Sequence, residues 1–299
     1  MALKFKEIGL ERWKSLLGRL DRVSFFWTPE WYSLFDWVFK VYEFEDDGGR
    51  WIVPVQVRRR FRWLKVLESA PWGGYGGTIV CEGEPHPENL AKSLLKVVSM
   101  NKSIRAVFVF HPLWRPQNID VPQFFRISKR TTHILFLNQN PLDLCSDTCR
   151  RNYRKALRNG LVVKRYKNPT EFSESYFRLY IDTVARQRTR AAFTKAFFDK
   201  LFSIRGVNLF AVEFNGKVVA AAIVFVGHKE LFYWHGASLT RFLPYRPNNL
   251  LHVEIAKWAW KTGFEIYNMG ASMGVRSLER FKESFGARPV EYPIFRFGL

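Results

Sequence analysis

Three groups of residues in this sequence have types and spacings that could do chemistry. Arg241, Tyr245, Arg246 and Asn248 lie between Ser238 and Leu250, where Pro247-Asn248-Asn249 opens a helix-like segment. A helix N-terminus offers unpaired N–H groups and the positive end of a dipole, so arginines gathered there read as a phosphate site. The structural alternative is a loop with solvated arginines. Arg150, Arg154 and Arg158 recur every four residues and share one helix face, with Arg151 and Lys155 beside them. Arg dominates there, and its planar fork suits bidentate phosphate binding, so this face could track a phosphate backbone or clamp a diphosphate. The plainer reading is a solvated charged face. Trp72 and Tyr75 stand among the glycines of Ser69-Ala70-Pro71-Trp72-Gly73-Gly74-Tyr75-Gly76-Gly77. Glycine permits close backbone approach and aromatics can stack on a sugar or base, although a tight turn with buried rings has the same composition.

His235 lies at the end of the apparent strand Glu230–Trp234 and, if neutral, could accept a proton from an amine. A satisfied core histidine is the competing reading. His86, His111, His133, His228 and His252 show no ligand spacing. Cys145 and Cys149 sit four apart with no histidine partner nearby, and Cys81 makes an odd, sparse set. No metal site or disulfide framework is expected, and the cysteine usage fits a reducing compartment. There is no G-x-S-x-G elbow, no G-x-G-x-x-G after a strand and no P-loop, which disfavours serine hydrolases and the dinucleotide and NTP folds.

The chain has 299 residues, enough for two domains of about 150. It is 47% hydrophobic and 17% aromatic, with 11 Trp, and has a formal net charge of +20. Such a charge predicts an anionic partner: nucleic acid, an anionic membrane face or a phosphate-bearing small molecule. General solubility is the bland alternative. The N-terminal residues mix charges with apolar side chains, so no signal peptide is expected. The longest apolar stretch, Val218–Val226, is too short to span a bilayer, which predicts a cytoplasmic protein with at most a peripheral membrane contact.

The elements that must position these residues can be read from the pattern. Leu10–Leu20 is a helical pattern, and Thr28-Pro29-Glu30 reads as the start of a second helix carrying Trp31–Phe35. Val38–Glu45 and Trp51–Arg58 flank Asp46-Asp47-Gly48-Gly49 as a hairpin, followed by the basic, aromatic stretch Arg58–Lys65. Glu88–Val98 is a helix candidate; Ala106–Phe110 and Thr132–Leu137 are strand candidates. Asn138-Gln139-Asn140-Pro141 reads as a linker, giving domains 1–140 and 141–299, with 291–299 able to return to the first. In the second domain, helices from Ser146 or Asp147 to Gly160, from Glu171 to Arg186 and from Lys195 to Phe202 come first. Strands Val207–Phe214 and Lys217–Val226 flank Asn215-Gly216, a strong hairpin signal. Strand Glu230–Trp234, a helix from Pro247 to Trp260, strand Glu265–Met269, a helix Leu278–Ser284 and strand Val290–Phe297 follow. This order is α/β with a largely antiparallel sheet.

Four stretches of the second half together resemble the FemABX-like acyltransferases of the GNAT superfamily. They are Arg150-Arg151-Asn152-Tyr153-Arg154-Lys155-Ala156-Leu157-Arg158-Asn159-Gly160-Leu161, Tyr233-Trp234-His235-Gly236-Ala237-Ser238, Pro247-Asn248-Asn249-Leu250-Leu251, and Gly270-Ala271-Ser272 followed by Arg280-Phe281-Lys282-Glu283-Ser284-Phe285-Gly286-Ala287. Their order and spacing match the family over roughly residues 145–295. Pro71–Gly77 is similar to its glycine-rich segment.

The resemblance implies α/β architecture with two tandem GNAT-like (acyl-CoA N-acyltransferase) domains, each a mixed, mostly antiparallel sheet flanked by helices. It implies transfer of an aminoacyl or acyl group to an amine of a cell-envelope precursor or another amine. Aminoacyl-tRNA or an acyl-CoA would be the co-substrate, and no cofactor would be tightly bound. Lys282 matches a lysine implicated in family catalysis, beside Phe281; its physical role would be a positive charge facing the tetrahedral oxyanion. The plainer reading pairs Lys282 with Glu279 at the surface. Where GNAT enzymes carry a glycine-rich loop around the CoA pyrophosphate, this chain has Pro244 and Pro247. The implied partners are the amine acceptor, tRNA and, peripherally, an anionic membrane or lipid phosphate. Two other classes compete: a non-catalytic nucleic-acid-binding protein, and a degenerate GNAT scaffold.

Overall fold

The computed structural model describes residues 3–60, 64–116, 119, 121, 123–167 and 169–298. The chain forms two compact units, Met1–Thr131 with Glu291–Leu299, and Thr132–Val290. The division falls inside a long strand, ahead of the Asn138–Pro141 stretch.

In the first unit β1 (Lys4–Ile8), α1 (Leu10–Leu17) and α2 (Pro29–Ser33) precede β2 (Val38–Glu45), β3 (Gly49–Arg60), β4 (Leu64–Glu68), β5 (Ile79–Gly83), α3 (Pro87–Met100), β6 (Arg105–Val109) and the opening residues of β7 (Phe125–Phe136). The sheet order is β1-β2-β3-β4-β6, with β5 on β3; the end of the last strand, β13 (Arg288–Phe297), lies on β6. Only β4 and β6, joined through α3, run parallel among these pairs. Helix α1 ends at Leu17, with Gly18 as its C-cap, three residues short of the predicted Leu20. Thr28 does not cap α2 with its side chain; its hydroxyl donates to Phe25 O at 2.7 Å. The core packs Trp51, Phe44 and Val53 of the sheet against Leu90, Leu94 and Val97 of α3. That apolar face recurs at helical spacing along α3 and is what seats the helix on the sheet.

The second unit runs from the end of β7 through α4 (Pro141–Leu144), α5 (Asp147–Arg158), β8 (Val162–Lys167), α6 (Ser173–Gln187), α7 (Lys195–Phe202), β9 (Val207–Phe214), β10 (Lys217–Val226), β11 (Glu230–Ser238), α8 (Pro247–Lys261), β12 (Ile266–Ala271) and α9 (Arg276–Glu283). Its sheet order is β7-β12-β11-β10-β9-β8. Again one pair is parallel, β11 with β12, and the crossover between them is a helix, α8. Ala220, Ala222 and Val224 of β10 meet Leu250, Val253 and Ile255 of α8 in the core. Small residues on the strand let the helix come close. All three cysteines are buried and unpaired as disulfides. Among the described residues no helix is long and apolar enough to cross a membrane.

Candidate active site at the fork of the second sheet

The pairing of β11 with β12 covers only Glu230–Phe232 against Ile266–Asn268. Beyond that point β11 continues along β10 and β12 along β7, so the sheet forks. Asn268 is fully buried at the fork. Its side chain accepts from Thr132 Oγ1 at 2.8 Å and from the Gly270 N–H at 3.0 Å, and donates to Glu230 at 3.2 Å. The next turn is fixed by Gly270, whose positive φ of 74° suits glycine.

Lys282 projects from α9 to this point. It is only 2% exposed, and its ammonium donates to the carbonyls of Gly270 at 2.8 Å and Ala271 at 3.0 Å. The expected alternative, a surface lysine paired with Glu279, is therefore set aside by burial. Burial pulls the Lys282 pKa down to about 8, opposed by the Glu279 carboxylate. The group remains mostly charged at neutral pH, with one N–H left over after the two carbonyls. Two histidines nearby stay neutral. His252 is buried, bonded to Tyr267 OH at 2.8 Å, and lowered to about 3 by burial and by Lys282. His133 is lowered by burial first and by Lys282 second.

On the β11 side, His235 is half-buried, with Nδ1 at 2.5 Å from Tyr176 OH. Burial lowers His235 to about 4. It is neutral at pH 7, as a proton acceptor must be, yet too weak a base to hold a proton there. Tyr180 packs edge-on to it and accepts the N–H groups of Ala192 and Phe193, which holds the loop after α6 against the fork.

A pocket of about 420 Å³ opens where α5 and α8 begin. Arg246, Asn248, Asn249, Arg280, Phe281 and Asn152 are among its lining residues. Two helix N-termini thus face one cavity beside two guanidiniums, an arrangement for an anion. The α8 end has no side-chain cap, and Arg246 ahead of it holds a left-handed backbone with φ 64°. The α5 end is capped by Ser146, whose hydroxyl accepts the Cys149 N–H at 3.2 Å. Phe281 packs edge-on against Phe285 and His252, so α9 presents Phe281 to the pocket wall and Lys282 to the fork.

The structure brings Arg246, Asn248 and Phe281 together at this pocket, while Arg241, Tyr245, Arg151, Arg154 and Lys155 are outside its lining. Arg241 is exposed, its guanidinium 5.1 Å from the Phe242 ring centre, and Tyr245 packs on Phe214 and Phe242. Arg151, Arg154 and Lys155 are exposed on α5, with Arg151 donating to Thr148 at the pocket's edge. Trp72 and Tyr75 are in the first unit. Trp72 is 48% exposed with φ 57°, whereas Tyr75 is buried among Phe26, His111 and Tyr292, so its ring is not presented for stacking. Sequence reasoning missed Arg280, Asn152, Tyr176, Asn268 and His252. Arg280 and Asn152 carried a signal, their places in the quoted stretches Arg280–Ala287 and Arg150–Leu161.

The acetyltransferase (GNAT) domain family matches residues 145–283. No curated protein sequence matches the chain. Among solved structures, FemX aligns with a TM-score of 0.72 at 12% identity, over 97% of this chain and 96% of that one. The C-terminal domain of a putative lysylphosphatidylglycerol synthetase from Agrobacterium fabrum aligns with a TM-score of 0.61 at 15% identity, over 96% and 91%. A tandem GNAT protein from the clavulanic acid biosynthesis pathway aligns with a TM-score of 0.57 at 9% identity, over 99% and 98%. With a GNAT domain over residues 145–283 and the fold of FemX and of a tandem GNAT protein, this chain has two tandem GNAT-like units and resembles the FemABX-like acyltransferases of the GNAT superfamily.

Proposed function

We propose that the chain is an N-acyltransferase that takes an acyl or aminoacyl group from a phosphate-bearing donor, aminoacyl-tRNA or an acyl-CoA, and delivers it to an amine. The observation that carries this reading is the pairing of an anion pocket with a buried ammonium on one short helix: α9 gives Arg280 and Phe281 to the pocket and Lys282 to the fork. In the reaction the amine nitrogen attacks the donor carbonyl carbon, an amide forms as the ester or thioester bond breaks, and the proton lost by the amine ends on the departing tRNA hydroxyl or CoA thiol. Negative charge builds on the carbonyl oxygen, and a fixed ammonium in a dry site stabilises that charge far more than one in water. Lys282 is the group for this role, because its two carbonyl partners hold it in place. Pro244 and Pro247 remove backbone donors from the loop, which leaves phosphate binding to Arg246, Arg280 and the helix ends. The acceptor is an amine, of a cell-envelope precursor or another compound; FemX and the lysylphosphatidylglycerol synthetase domain share the fold.

The test is transfer from acetyl-CoA and from aminoacyl-tRNA to primary amines by the wild type, Lys282→Met and Lys282→Arg. Lys282→Met is expected to lose about 10²–10³ of the rate, the typical loss for one oxyanion-stabilising donor, while Lys282→Arg keeps part of it. Activity should fall as pH rises through about 8, where Lys282 loses its charge. A folded Lys282→Met enzyme with the wild-type rate would remove the residue from the mechanism. A nucleic-acid-binding protein without catalysis would bind RNA and turn over neither donor, and a scaffold would do neither.

A further inference from the structure

The acyl-transfer reading leaves the polar edge of His235 without a task. β11 pairs with β10 as His235 opposite Ile223 and Tyr233 opposite Val224, so Trp234 is an extra residue on β11. Such a bulge interrupts the alternation of faces along a strand. In a regular strand His235 and Tyr233 would share one face. Here Tyr233 meets His252 of α8, whereas His235 meets Tyr176 and Tyr180 of α6. The bulge therefore turns His235 to the side of the sheet away from α8, with its pocket, and from α9, which packs on His252 through Phe281.

The imidazole is enclosed by rings, with Tyr180 at 5.4 Å, Trp234 at 5.8 Å, Tyr176 at 6.0 Å and Phe193 at 6.2 Å between centres. Its one polar partner among the described residues is Tyr176 OH, 2.5 Å from Nδ1. Either group could supply the proton in that bond, and burial decides between them. Tyr176 is 1% exposed, and its hydroxyl has no second partner among the described residues. If Nδ1–H donated, the Tyr176 O–H would be a buried donor with no acceptor. If Tyr176 donates, both groups are satisfied. Burial also pushes the Tyr176 phenol well above its ordinary range, so it keeps the proton it donates. The proton of the neutral imidazole then sits on Nε2. Nε2 has no partner among the described residues. A ring nitrogen that already carries hydrogen has no lone pair for another proton, so it cannot be the base that deprotonates an amine. What it can bind is an oxygen.

We infer that Tyr176 fixes His235 as the Nε2–H tautomer, and that this N–H binds an oxygen of the acceptor, so that His235 selects amines with a carbonyl, carboxylate or hydroxyl oxygen beside the nitrogen. The acceptor contact rests on the acyl-transfer reading, in which the donor's phosphate and Lys282 take the α8 and α9 side and leave the α6 side of the fork to the acceptor. The tautomer does not rest on it. Tyr176 is a positioning residue, acting only through the imidazole. The proton lost by the amine leaves without passing through His235.

The first measurement is the proton–nitrogen correlation spectrum of the full chain carrying isotope-labelled histidine, at about pH 7, which separates proton-bearing from bare ring nitrogens. The signals lost in His235→Gln assign His235 among the 6 histidines. A bare Nδ1 and a proton on Nε2 are expected, with a mixture of both tautomers in Tyr176→Phe. A proton on Nδ1 in the wild type overturns the inference whatever the turnover. The second measurement is kcat/KM for glycinamide and ethanolamine relative to propylamine, with whichever donor supports transfer. The amines differ in intrinsic reactivity, but that difference is common to wild type and variants and cancels between them. The preference for the oxygen-bearing amines should fall about tenfold in His235→Leu, the loss expected for one hydrogen bond. It should fall less in His235→Gln, whose amide N–H can replace Nε2–H, and several-fold in Tyr176→Phe. Thermal melts confirm that each variant is folded. An unchanged preference in folded His235→Leu overturns the inference. A wild type that acylates none of the three amines overturns the acyl-transfer reading and the acceptor contact with it; a bare Nδ1 in that protein would still uphold the tautomer.

Discussion

Each unit has one parallel strand pair joined by a helix, and the two helices begin differently. Both carry proline at the first position, Pro87 in α3 and Pro247 in α8. At the start of α3 the chain supplies its own anion. Asp46, from the turn between β2 and β3, accepts the His86 N–H at 3.0 Å and the Asn89 amide at 2.9 Å, and also the N–H groups of Gly48 and Gly49. At the start of α8 no side chain caps the helix, and Arg246 and Arg280 line the cavity ahead of it. A helix N-terminus with a built-in carboxylate is a finished structural joint. One left open among guanidiniums still lacks its negative charge, and a donor phosphate can provide it. The same element thus supports the fold in one unit and, in the function proposed above, would offer a binding site in the other.

Two substitutions separate these roles. The larger effect is expected from Asp46→Ala, which strands a set of N–H groups in the first unit. It should cost about 2 kcal/mol of stability, read from chemical denaturation, and leave donor binding unchanged. Burial raises the Asp46 carboxyl, but the hydrogen bonds from Asn89, His86, Gly49 and Gly48 outweigh it and hold it below the usual carboxylate range. Its contribution is therefore present above the unfolded pKa, near 4, and is lost as pH falls through the lower folded value. Asp46→Ala should flatten that acid limb. The smaller effect is expected from Asn248→Asp, which builds into α8 the carboxylate that α3 already has. It should weaken donor binding about tenfold, through repulsion of the phosphate, and leave stability unchanged or slightly raised. A stability loss from Asn248→Asp as large as that from Asp46→Ala would erase the contrast between the two helix ends.

Much of this was legible in the sequence where local chemistry and pattern agreed. Lys195–Phe202, Val207–Phe214 and Lys217–Val226 begin and end in the structure as the sequence predicts, since a capping Thr194 and the Asn215-Gly216 turn punctuate them. β1, β4, β5 and β8 were not legible. β1 and β8 are edge strands with exposed charged residues, Lys-Phe-Lys-Glu-Ile and Val-Val-Lys-Arg-Tyr-Lys, whose place is set by a neighbour rather than by an apolar face. At the site, the proline-led helix start with Arg246 and Asn248 could be read directly. The burial of Lys282 could not, because Arg-Ser-Leu-Glu-Arg-Phe-Lys-Glu looks like a solvated helix; only the position of β12 turns that lysine inward. Tyr75 shows the reverse. Its glycine neighbours suggested an open loop, but Phe26, His111 and Tyr292, far apart in sequence, close over it.

The central claim is that the pocket at the start of α8 holds the donor's phosphate. It is tested most directly by calorimetric titration of acetyl-CoA, and separately of aminoacyl-tRNA, into the wild type and into Arg246→Ala with Arg280→Ala at about 150 mM salt, where weak surface charge binding is screened. The account predicts saturable binding of one of the two donors, lost in the double variant, with tRNA showing the steeper salt dependence if it is the donor. Binding of either donor that survives loss of both arginines, or binding of neither by the wild type, would contradict it.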